Sequence, residues 1–187
     1  MRENGEAVEI QDEWPSMETE SEEDGLYSPR VDVAVGPFSG PGQQLGPEYN
    51  RLMRKLGRWL PDCLDLFKEN ARRFKLKDPV PNIADFERIN YNSRCLIAIE
   101  IERSGTRKHM LGDLLNAGSL GRIGLIIGWD EDTCEAFIHI MNYFRFLTSK
   151  GKPSYRAGNV LVISRGQFSS LTSHPSPLRQ LPSTEAQ

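Results

Sequence analysis

The chain has 187 residues, 38% of them hydrophobic and 26% charged, with a formal net charge of −3. That balance excludes low-complexity and collagen-like polymers and fits one globular domain with polar ends. No apolar run approaches the ~18–20 residues of a membrane span, and the three scattered cysteines, Cys63, Cys95 and Cys134, form neither a disulfide framework nor a zinc pattern.

The charge is unevenly spread. Residues 1–46 hold eleven acids against two arginines, a net −9, so the remaining residues carry +6. A basic body behind an acidic tail is an electrostatic footprint for a polyanion. The opening MRENGEAVEIQDEW is acidic and polar and does not read as a secretory signal. Reduced thiols fit a cytoplasmic setting.

In chain order, residues 1–46 read as an acidic, largely disordered tail and linker. Met1 to Gly25 is poor in apolar residues, Val31 to Val35 is a short extended stretch, and SGPGQQLGP links it onward. A folded α/β domain is predicted over residues 47–165. Pro47 suits the first turn of a long helix carrying Leu52, Met53, Leu56, Trp59 and Leu60 on its apolar side. Pro61 is expected to kink it, with Leu64, Phe67, Ala71 and Phe74 continuing the stripe. Ile83 to Ile89 alternates, and NYNSR at 90–94 reads as a turn, so residues 83–102 are expected to form a β-hairpin. With the turn centred near Asn92 and Ser93, Asp85 lies opposite Glu100.

Cys95 to Glu102 alternates with period two. Ile97, Ile99 and Ile101 form an apolar ridge, and Ala98, Glu100 and Glu102 share the other face. Thr106 to Leu120 has helical period, with Thr106 or Ser104 able to cap it and Gly121 able to end it. Ile123 to Gly128, IGLIIG, is apolar without alternation, as in a strand buried on both faces. Strand, helix and strand make a parallel βαβ unit. A second amphipathic helix follows from Asp130 or Asp132, with Ala136, Phe137, Ile140, Met141, Phe144 and Leu147, and Val160 to Ser164 is a last strand. Residues 166–187 are Ser/Pro/Gln-rich and read as a disordered tail.

If the hairpin forms, Asp85, Glu100 and Glu102 converge. Three adjacent carboxylates raise one another's pKa, and a hard divalent cation relieves the repulsion. Lys108, in the first turn of the next helix, is close enough to the strand end to orient a water or stabilise a developing charge. Such a set suits metal-assisted phosphodiester hydrolysis. His109, His139 and His174 have no ligand-like spacing.

A hairpin acid, an acid-x-acid strand end, a helix and a buried strand resemble the PD-(D/E)xK nuclease superfamily. The resemblance spans about Pro47 to Ser164. It implies a restriction-endonuclease-like α/β fold, a central mixed β-sheet flanked by α-helices. It also implies Mg²⁺-dependent cleavage of DNA, with Mn²⁺ as substitute, by a restriction-type or defence endonuclease that acts as a homodimer when it cuts both strands. Carried over, Asp85 is the hairpin acid and Glu100 the first acid of the second motif. Glu102 stands where most members have lysine, a part Lys108 takes from the following helix. Asp85, Glu100 and Glu102 would then hold the metal. Ala84 precedes Asp85 where the family has proline, so Glu87 is a rival for the Asp85 role, and Asp32 a weaker one because it precedes the long helix. The alternative reading is a nuclease-like fold without catalysis, serving as a nucleic-acid-binding or protein-interaction module.

Overall fold

A computed structural model describes residues 8–16, 28–40, 42–155 and 157–173. Among these residues lie a five-stranded mixed sheet and six helices: β1 (Ile10–Pro15), β2 (Arg30–Val35), α1 (Gly46–Lys55), α2 (Trp59–Arg73), α3 (Ile83–Phe86), β3 (Cys95–Glu102), α4 (Arg107–Leu120), β4 (Gly121–Gly128), α5 (Glu131–Ser149), β5 (Val160–Ser164) and α6 (Arg165–Ser173). The sheet order is β1-β2-β3-β4-β5. β1 and β2 are antiparallel, as are β2 and β3, whereas β3, β4 and β5 run parallel. This is an α/β fold, with α4 and α5 as the crossovers that parallel neighbours require. Among the described residues no helix is long and apolar enough to cross a membrane.

The βαβ unit stands as the periodicity predicts. Thr106 caps α4 by accepting from the His109 N–H, and Met110, Leu114, Ala117 and Gly118 are its buried stripe. β4 is buried at all eight positions, so it is covered on both faces. The isoleucine ridge of β3 is shorter than expected, because Ile101 is 45% exposed. β2 pairs with β3 at Ile97, Ala98 and Ile99, so Ile101 lies outside that ladder.

The first boundary moves. The supposed tail supplies two strands of the sheet, with Trp14 opposite Val31 in the ladder. Trp14 is buried and stacks on Phe38, ring centroids 4.9 Å apart. Only short apolar punctuation marks this segment, so its acidic composition masks an edge hairpin. At the other end, α6 carries Phe168 and Leu171 onto the core, and Gln167 exchanges hydrogen bonds with Asn70 of α2. The folded body therefore extends to at least Ser173. The predicted disorder of 1–7, 17–27 and 174–187 lies outside the described residues.

The long helix is two. The break falls at Gly57, whose φ of +58° glycine adopts without the usual penalty. Pro61 sits in the first turn of α2, where its missing N–H costs nothing, and so does not kink a helix.

The hairpin over 83–102 does not form. Residues 83–86 are α3, a single turn closed by a capping box: Asp85 accepts from the Asn82 N–H at 2.8 Å, and Asn82 accepts in return from the Asp85 N–H at 3.2 Å. The apparent alternation was the local signature of that cap. Arg122, fully buried at the start of β4, anchors the following turn through the Glu87, Ile89 and Asn90 carbonyls and Asn50 Oδ1. This fixes the turn at the amino ends of β3 and β4. Glu100 lies five residues further along β3 than Cys95, the partner of Gly121, which is roughly 16 Å at ~3.3 Å per residue.

Candidate active site at the carboxyl end of the third strand

The strand that β3 meets on its outer side is β2, in the register Val33 to Ile99 and Ala34 to Ala98. Antiparallel pairing extended by one residue sets Asp32 beside Glu100. The side chains confirm that approach. Glu100 Oε2 accepts from the Asp32 N–H at 3.4 Å, and Asp32 Oδ2 accepts from the Ile101 N–H at 2.6 Å. The acid that joins Glu100 is therefore Asp32, and Asp85 is not part of the cluster. Glu87 is excluded as well, since its carboxylate pairs with Arg54 at 2.9 Å.

Glu102 turns back onto the loop that follows it. Its Oε1 accepts from the Ser104 N–H at 2.9 Å and the Gly105 N–H at 2.7 Å. A Cβ at Gly105 would lie 2.0 Å from Glu102 Oε2, so the carboxylate in this rotamer packs directly on the Gly105 backbone. The other side of Glu102 meets α4, where Asp113 hydrogen-bonds to it. Asn116, one turn further on, bonds Glu100 and donates to the Arg30 carbonyl at 3.4 Å. Four acids from two strands and a helix thus meet at the carboxyl end of β3.

Burial sets their electrostatics. Glu100 is 5% exposed, and its Oε1 is buried with no hydrogen-bond partner among the described residues. Burial pushes its carboxyl up to about 8, and the charges of Asp32 and Asp113 add to the effect, with Asn116 and the Asp32 backbone partly opposing. Asp113 is pushed up to about 7, again by burial first, then by the charge of Glu102 and the hydrogen bond to it. Near neutrality Glu100 is therefore held mostly protonated and Asp113 about half so.

Among the described residues no three Asp, Glu, His or Cys side chains stand in position to hold a metal ion together. Asp32 and Glu102 instead spend oxygens on backbone N–H groups. The donor chemistry nevertheless fits a hard divalent cation. Every donor is a carboxylate oxygen, one of them is buried without a partner among the described residues, and two of the acids have their pKa raised by burial and by neighbouring carboxylates.

Lys108 lies in the first turn of α4, exposed, with no side-chain partner among the described residues. Asp113 and Asn116 went unseen in the sequence. Their signal was positional: Asp113 is three residues after Met110 and four before Ala117, at the border of the buried stripe, so a helix laid on the Glu100 strand brings it to the sheet. Comparison with protein families, with curated proteins and with solved structures finds no match to this chain.

Proposed function

We propose that this chain is a divalent-metal-dependent nuclease that hydrolyses phosphodiesters in DNA, with Asp32, Glu100 and Glu102 as the metal-holding carboxylates. The observation that carries the reading is the meeting of these acids at the end of β3 around an unpartnered, buried Glu100 oxygen. Asp32 takes the place first given to Asp85. The sheet order and the acid on the strand beside the Glu100-x-Glu102 strand support kinship with the restriction-endonuclease-like fold.

A bound Mg²⁺ or Mn²⁺ would supply Lewis-acid polarisation of the phosphoryl oxygen and lower the pKa of a bound water. The rest falls to the chain. Glu100 would hold the ion as a carboxylate, since a cation's charge would offset the burial that keeps it protonated. Asp113 orients Glu102 through their shared hydrogen bond. Lys108 supplies the positive charge that Glu102 lacks. The three free thiols, Cys63, Cys95 and Cys134, are all buried, which supports a reducing, cytoplasmic setting. A homodimer would carry two such sites.

A second reading is a non-catalytic nucleic-acid-binding or interaction module. It is favoured by the same cluster's failure to form a three-ligand set and by the absence of lysine at position 102. Plasmid and oligonucleotide cleavage with Mg²⁺ or Mn²⁺ separates the two. Wild-type protein should cleave, Asp32→Asn and Glu100→Gln should abolish cleavage, and Lys108→Ala should lower it by about 10²–10⁴-fold with folding unchanged. Metal-independent cleavage, or full activity in Glu100→Gln, sinks the nuclease reading. An inert wild type that still binds nucleic acid favours the module.

A further inference from the structure

Beside the acids, on the same edge of the sheet, the ends of three parallel strands carry a second cluster of different chemistry. Arg103 follows β3, Trp129 follows β4 and Arg165 follows β5. Both guanidinium groups lie over the Trp129 ring, that of Arg165 at 3.9 Å from its centroid and that of Arg103 at 5.1 Å. The Trp129 N–H donates to the Glu102 carbonyl at 2.9 Å, which ties this ledge to the acid-bearing strand. Trp129 is 37% exposed, and both arginines are exposed.

The arginines differ from most others on the surface. Arg54, Arg73 and Arg145 are each matched to a carboxylate. Arg103 and Arg165 have no acidic partner among the described residues, and neither do Arg107 and Lys108 in the adjoining first turn of α4. Four unneutralised cations therefore lie on the segments that follow β3 and β5 and open α4. Stacking on Trp129 fixes the direction of two of them without a counter-ion, so their N–H donors stay free for an anion. Unpaired planar donors beside an exposed indole match a chain of phosphates carrying unpaired bases. Guanidinium groups take the phosphates, while base faces stack on the indole or on the guanidinium planes. The carboxyl ends of parallel strands are also where open α/β sheets bind ligands.

We propose that the Arg103–Trp129–Arg165 ledge binds single-stranded nucleic acid and delivers the strand to the acid cluster. The delivery rests on the nuclease reading above, whereas the binding does not. Base stacking on this ledge needs bases free of a partner strand, so a single strand is preferred to a duplex of the same sequence.

Fluorescence anisotropy of the full chain with a labelled oligothymidylate, in EDTA so that nothing is cut, tests the binding alone. Wild-type protein should bind the single strand about ten-fold or more tighter than a labelled duplex of matched length. Arg103→Gln with Arg165→Gln should weaken single-strand binding by about ten-fold and flatten its salt dependence by roughly 1.4 in log–log slope, two phosphate contacts at about 0.7 each. Trp129→Leu should remove the preference over duplex. Glu100→Gln should bind as wild type does, which keeps this outcome separate from the fate of catalysis. Both arginines are exposed, so the double variant should melt with the wild type. Unchanged affinity and salt slope in that variant, or a duplex bound as tightly as the single strand, overturns the inference.

Discussion

Replacing Glu100 with glutamine isolates the electrostatic cost of the acid cluster. The folded chain holds the Glu100 proton up to about pH 8, whereas the unfolded chain releases it near 4.5. Between those values the folded state carries one more proton than the unfolded state. Unfolding free energy therefore falls as pH rises, by about 1.4 kcal/mol per pH unit for this group. From pH 4.5 to pH 7 the loss is about 3 kcal/mol, and it stops growing above pH 8. Glu100 is 5% exposed, so solvent screening takes little from that figure. Glutamine has nearly the same shape and no charge to bury. Glu100→Gln should therefore match the wild type near pH 4.5 and exceed it by about 3 kcal/mol at pH 7. For a domain of this size that is a melting-temperature gain of about 6–12 °C. Thermal and urea melts of both proteins between pH 4.5 and 8.5, in EDTA, read the difference directly. Parallel stability curves across that range would refute the reasoning, because they would mean that Glu100 ionises in the folded chain as it does in water.

Gly105→Ala places a methyl group against the movable carboxylate end of Glu102, which can turn aside, so urea unfolding should change by less than about 1 kcal/mol. Asp85→Ala removes half of the α3 capping box and should lower stability by about 1 kcal/mol while leaving cleavage at the wild-type rate, the opposite of Asp32→Asn. Asp113→Asn removes the second acid that burial keeps protonated. It should flatten the remaining decline of stability between pH 4 and pH 7 in the Glu100→Gln background, read from the same melts.

The βαβ core was legible because its signals are local and redundant. Thr106, the Met110–Leu114–Gly118 stripe and the unbroken IGLIIG run each point to the same unit, and the structure has it within a residue or two. Glu100 and Glu102 were legible for the same reason. Their partner was not. Asp85 and Asp32 both sit in short stretches with apolar residues at alternate positions, and nothing local says which one meets β3. The choice is made by long-range pairing across about seventy residues, and in 83–86 by a capping box whose Asn82-x-x-Asp85 spacing was available in the sequence. Nearness in the chain favoured the wrong acid. The acidic tail misled by composition, since a strand such as β1 needs only Trp14 and a partner strand to hold an edge. Asp113 and Asn116 stayed hidden because their meaning depends on which face of α4 lies on β2 and β3.

The most direct test of the account is the position of a bound ion. Crystals of the protein grown or soaked with Mn²⁺, measured near the manganese absorption edge, should give an anomalous peak bridging the carboxylates of Asp32, Glu100 and Glu102, at oxygen distances of about 2.0–2.2 Å, close to those of the Mg²⁺ it replaces. Asp32 and Glu102 should be rotated off the Ile101, Ser104 and Gly105 N–H groups to reach it. A fully occupied peak elsewhere, at Asp85 for example, or none at millimolar Mn²⁺, would contradict the assignment of this cluster as a metal centre.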